Sequence, residues 1–193
     1  MIPISSDRRD FLKTSIFGIS GVFMLPSCLK DYTPWQFFTE KEAVCITAIC
    51  EQIIPTDEYG PGATYAGVVF YMDKQLAEIF TRDQEDYRAG IKAIQKSAQM
   101  VHGEKFEALD FDIQTNFLLN MEAGELPNEP WELIISQKSL FRKITEHSMQ
   151  GFYGAPRHGG NKNYISYTLM DLDYPYIAGK KRDTQSIDQH DEK

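Results

Sequence analysis

The 193-residue sequence predicts an all-α fold: a single compact domain of five to six helices with an irregular, Gly-rich C-terminal segment. Three observations carry this expectation. Apolar residues recur at steps of three and four in successive windows. Each window is bounded by capping residues, glycine or proline. No run alternates apolar and polar residues over the length of a strand, and no internal repeat is visible.

The first window opens on Thr39-Glu40-Lys41-Glu42, a capping box with Thr39 as N-cap and Glu42 reaching back to it. A helix follows to about Ile54, with Ala43, Ile46, Cys50 and Ile53 facing inward. Pro55 stops it, because proline has no N–H to continue the ladder. Asp57–Gly62 reads as a turn-rich loop. A second helix starts near Ala63–Tyr65 and buries Val69, Met72, Leu76 and Ile79. Asp83 is placed as the cap of a third, whose stripe is Tyr87, Ile91, Ile94 and Val101 and whose end is Gly103. The fourth follows Asp110, with Ile113, Phe117, Leu118 and Met121 inside and Gly124 at its close. Pro127 and Pro130 break the chain. The fifth is expected from about Pro130, a residue suited to the first helical position, toward Phe152. Its stripe is Trp131, Ile134, Ile135, Phe141 and Ile144. An irregular stretch from Gly151 to Asn163 and a short element over Tyr164–Met170 complete the body.

Ahead of the body lies a leader. Arg8 and Arg9 precede a ten-residue apolar run, Ile16–Leu25, in the order charged region, apolar region, small-residue break. A helix of that length rises only ~15 Å, about half the hydrocarbon core of a bilayer, so it suits a signal peptide rather than a span. The pair looks like a twin-arginine export signal, the type that carries already folded cargo. Leu25-Pro26-Ser27-Cys28 resembles a lipobox, and the first alanine of the chain is Ala43, so no Ala-x-Ala cleavage site is available here. Cys28 is the expected lipidation site, which would tether a periplasmic body to a membrane. The chain thus divides into a signal segment (1–27), a linker (28–38), a helical domain (39–178) and a polar tail (179–193) expected to be disordered.

Composition excludes some functions. The chain holds 28 acidic and 20 basic residues, for a net charge of −8. With no basic stripe to neutralise phosphates, nucleic acid is not a partner. Cys45 and Cys50 lie five residues apart on one predicted helix, ~7.5 Å of rise, beyond what a disulfide spans. They are expected as buried thiols. Gly60-Pro61-Gly62 begins like a dinucleotide fingerprint, but Tyr65 stands where its third glycine belongs. No zinc, haem, metalloprotease or nucleophile-elbow motif is present. His102 and His147 fall late in their helices, where a cation favours the dipole. The most distinctive local pattern is Pro156-Arg157-His158-Gly159-Gly160-Asn161, where two glycines allow close backbone approach and Arg157 and His158 offer donors.

Three segments together resemble the small, third subunit of membrane-bound gluconate 2-dehydrogenase and related sugar dehydrogenases. They are Ile53–Asp57 with Gly60–Ala63 and then Val68–Leu76, including Asp73; the helix through Phe141 and His147 ending in Gly151-Phe152-Tyr153-Gly154; and Pro156–Asn161 followed by Tyr167 and Asp171–Pro175. Where relatives commonly carry tryptophan and glycine, this chain has Tyr167 and Asp171. The resemblance implies an accessory subunit with no catalytic, cofactor or metal residues of its own. FAD would sit on a partner flavoprotein of the glucose–methanol–choline (GMC) type, and haem c on a cytochrome c subunit where one is present. The small subunit would lend its export signal to the flavoprotein and help it mature. Phe152, Tyr153, Arg157, His158 and Asn161 are the expected partner contacts. The competing expectation is a stand-alone helical envelope lipoprotein that binds or scaffolds.

Overall fold

The computed structural model describes residues 34–131 and 135–172. Arg8, Arg9, Cys28, Ile134, residues 173–178 and the tail 179–193 lie outside them. Among the described residues every regular element is helical, and the β-type pairing is confined to one bridge between Asp57 and Gly60.

Helix α1 spans Glu40–Ile53 and starts as the sequence dictates: Thr39 Oγ1 accepts the Glu42 N–H, and Glu42 accepts the Thr39 N–H at 2.8 Å. Cys45, Ile46, Ile49 and Cys50 bury its inner face. This helix packs against α3 (Val68–Glu78), α5 (Phe111–Ala123) and α6 (Gln137–Tyr153), and so lies at the centre of the body. Both thiols are buried and free. Burial pushes them up, Cys50 to about 12 despite its contact with Ser148, so neither is a thiolate at neutral pH.

The expected second helix is two. α2 covers Ala63–Ala66, and Gly67 at φ 72° breaks the run before α3. That left-handed turn costs a glycine little and redirects the chain in one residue. Val69, Met72 and Leu76 are buried as expected, but Ile79 is 62% exposed. α3 ends at Glu78, and Phe80 takes the inward place instead, its ring stacked 4.4 Å from that of His147.

Helix α4, Gln84–His102, buries Tyr87, Ile91 and Ile94; Val101 is exposed. Asp83 does not cap it. A 3-10 turn over Thr81–Asp83 runs directly into the helix, and the carboxylate is spent on Lys143 at 2.5 Å. In α5, Phe117, Leu118 and Met121 are buried, with Gly124 closing the helix. The fifth predicted helix begins later than Pro130. Pro130 sits in a 3-10 turn, Glu129–Trp131, and α6 starts after Ser136, whose hydroxyl accepts the Ser139 N–H. Trp131 is nonetheless buried, donating to Ser97 Oγ at 3.0 Å. The short closing element is α7, Ile165–Leu169.

His147 departs from the expected helix-end cation. It is buried between the rings of Phe80 and Tyr87, with Nδ1 2.8 Å from the Tyr87 hydroxyl. Burial lowers its pKa, so it stays neutral in the folded chain.

The end of the expected linker belongs to the body. Asp73, itself buried, accepts the backbone N–H groups of Gln36, Phe37 and Phe38 at 2.8–3.0 Å. Phe38 is buried, and Arg88 lies over the Phe37 ring at 4.2 Å while pairing with Glu42. Replacing Asp73 with alanine orphans three donors at once. Asp73→Ala should cost about 2–4 kcal/mol in denaturant unfolding and open the chain to limited proteolysis near Phe37.

Candidate functional site

The last turn of α6 and the segment after it form the most unusual stretch of backbone in the body. After Gly154 the chain doubles back through 3-10 turns at Pro156–His158 and Lys162–Tyr164 and enters α7. Glycines permit this. A Cβ on Gly160 would overlap the Gly151 carbonyl oxygen, so the two backbones touch. A Cβ on Gly151 would lie 3.0 Å from the Tyr71 ring, and one on Gly159 3.5 Å from the Tyr71 Cα. Gly159, at φ 109°, bends the chain over α3 at that point. Loop, α3 and α6 are thereby stacked at backbone distance.

The bend stores strain. Asn161, Asn163 and Tyr164 adopt positive φ of 45°, 57° and 58°. Such angles cost of order 1 kcal/mol for residues with a side chain, and most for bulky ones. Asn161 offsets part of this, donating Nδ2–H to the Gly154 carbonyl at 2.9 Å and accepting the Ser166 N–H at 3.0 Å. Asp171 also has positive φ, 52°, at the position where the resemblance led one to expect glycine.

Of the five expected contact residues, the structure divides two from three. Phe152 and Asn161 are buried, at 3% and 0% exposure, and hold the bend together rather than face a partner. Tyr153 is 46% exposed, its ring edge-on to Phe152. Arg157 is exposed and donates Nε–H to His158 Nε2 at 3.1 Å, and His158 is half-buried.

Charge along the sequence outlines a larger site than those residues. Residues 59–72 carry no charged side chain, and residues 147–170 carry no acid, their charges being Arg157 and Lys162. These two stretches, far apart in sequence, are the ones the glycines press together: Gly60 against Leu169, Gly67 beside Gly159, and Val68 and Tyr71 against Gly151. In a chain of 28 acids this joins two stretches that hold no acid of their own, with Glu51 and Asp57 bonded to them from the edge. Tyr59, Tyr65, Phe70 and Leu169 stand exposed there beside Tyr153, with Trp35 stacked 4.8 Å from Phe70. Of these only Tyr153 was singled out from the sequence as a contact. The missing acids were the available signal, but the two stretches join only in three dimensions.

At the rim, Glu51 ties the end of α1 to the start of α2. It accepts the N–H and hydroxyl of Thr56 and of Thr64, at 2.6–2.9 Å. Burial alone would raise its pKa, but these bonds outweigh it and hold the carboxyl below its ordinary value.

Among the described residues no group of three or more His, Cys, Asp or Glu is placed to hold a metal. An open groove along α4, about 1040 Å³, is lined in part by Arg88, paired with Glu42, and by Lys96, paired with Glu129. A family model described as gluconate 2-dehydrogenase subunit 3 matches residues 40–173. Neither the curated proteins nor the solved structures contain a significant match.

Asn161→Ala should lower stability by about 2–4 kcal/mol, since it strands a buried carbonyl and N–H and places alanine at positive φ. Ser166 Oγ is buried without a hydrogen-bond partner, so Ser166→Ala should be neutral or stabilising by up to ~1 kcal/mol in the same denaturant titration. The folded chain holds Glu51 ionised to lower pH than the unfolded chain. Its contribution is therefore complete above the unfolded value of about 4.5 and is lost as pH falls through the lowered one. Glu51→Gln should flatten that acid limb in a pH series of thermal unfolding.

Proposed function

The chain belongs to the gluconate 2-dehydrogenase subunit 3 family, and on that premise we propose that it is the non-catalytic small subunit of a periplasmic, FAD-dependent sugar or sugar-acid dehydrogenase complex. The observation that carries this reading is the span of the family match, residues 40–173, which takes in the whole helical body from the first residue of α1 through the glycine-built bend.

In this reading the chain works as an escort. Arg8 and Arg9 supply a twin-arginine signal for a cargo that must cross the membrane folded. The cargo is a GMC-type flavoprotein that binds FAD and oxidises the substrate, with haem c on a cytochrome subunit where the complex includes one. The body remains attached after export and stabilises the flavoprotein, while a lipidated Cys28 tethers the pair to the membrane. The features of this chain that support the escort reading are the leader and an end of the molecule shaped for contact rather than for chemistry.

Co-expression with the flavoprotein, followed by fractionation, tests the proposal. With Arg8→Lys and Arg9→Lys together, the FAD-loaded flavoprotein should remain in the cytoplasm. Its arrival in the periplasm with FAD would show that it does not depend on this signal, and the escort role would fall. In the same fractions Cys28→Ala should shift the complex from the membrane pellet to the soluble periplasm.

A further inference from the structure

We infer that the end of the body where residues 59–72 meet residues 147–170 is the surface on which the flavoprotein subunit docks. The inference rests on the escort reading and adds to it the face, the contact chemistry and the residues.

Size is the first argument. Tyr59, Tyr65, Phe70, Tyr153, Leu169 and Met170 are 43–81% exposed. At ~200 Å² for a fully exposed large side chain they offer roughly 600 Å² of apolar surface, before the backbone and polar rim are added. A standard interface takes ~800 Å² from each partner. Four of the six are aromatic, the residue type that anchors interfaces at low entropy cost.

Charge is the second. The two stretches themselves carry Arg157 and Lys162 and no acid, while Glu51 and Asp57 bond to them at the edge, so charged groups of both signs ring the aromatic centre. An apolar centre with a mixed polar rim suits a protein partner.

Rigidity is the third. Tyr65, Phe70 and Tyr153 are carried by α2, α3 and the last turn of α6, and Gly151, Gly159 and Gly160 hold α3, α6 and the returning loop at backbone distance. A face held this way pays little ordering entropy on binding, which favours a stable complex.

The test is co-purification of the full-length chain with the co-expressed flavoprotein, identified by mass and by its flavin absorbance, with affinity measured on the isolated pair. Tyr65→Glu and Tyr153→Glu should each weaken binding by roughly thirtyfold or more, as loss of an anchor does. Leu119→Glu and Met100→Glu add the same charge to exposed apolar positions outside the two stretches and should change it by less than about twofold. Circular dichroism and melting temperature of each variant separate lost contact from lost fold. A complex that survives both tyrosine variants while a control variant breaks it overturns the docking face and leaves the escort reading standing. Absence of any complex with the wild-type chain overturns both. Two further outcomes reassign the face: a wild-type species of twice the chain mass that Tyr153→Glu dissociates, or flotation of the Cys28→Ala chain on phosphatidylglycerol vesicles that the tyrosine variants abolish.

Discussion

Two backbones without side chains between them set the shape of the glycine-built end of this molecule. Gly151 and Gly160 approach so closely that a single methyl group on Gly160 would have no space, and a side chain on Gly151 would press into Tyr71 and Val68. The returning segment meets α6 at that contact, Gly159 lies across α3, and Leu169 of α7 sits against Gly60. The left-handed residues at 161, 163 and 164 are the cost of making the return in so few residues, and the Asn161 amide offsets part of it with two bonds. The strain thus sits where the surface is most specialised, while the helices behind it are ordinary.

Carboxylates do structural work here that sequence inspection would not assign to them. Asp73 gathers three consecutive N–H groups ahead of α1, Glu51 binds two threonines across the α1–α2 loop, and Asp83 engages Lys143 of α6. Each satisfies donors that no helix ladder reaches, the usual problem at helix ends and loop entries. Because the Asp73 bonds reach back to Gln36, the chain entering α1 is attached to the helical core directly. Several of the acids thus lie in internal ties rather than acting only as surface charge.

The interior offers the same lesson about apparent chemistry. Tyr87, His147, Asp83 and Lys143 form a contiguous polar group that resembles an acid–base relay when read as a string of residue types. Burial keeps His147 neutral and raises the Tyr87 hydroxyl, while the two rings flank the imidazole by stacking. The group joins α3, α4 and α6 as a packed layer.

The sequence by itself determined what depends on near neighbours along the chain. The capping box at Thr39 and Glu42, the stop at Pro55, the closing glycines at 103 and 124 and most buried stripes are interactions within one or two turns, so their signals lie side by side in the text. The family motifs were legible for the same reason. Tertiary structure decided what depends on distant partners. Asp83 looked like a cap because Lys143, sixty positions on, is invisible to local reading. Phe80 rather than Ile79 turns inward because His147 waits on α6. Phe152 and Asn161 looked available for a partner, and only the Gly151–Gly160 contact buries them while leaving Tyr153 and Arg157 outside. Helical periodicity specifies which residues share a stripe; which stripe meets water, core or partner is settled by the close approach of segments separated by a hundred residues.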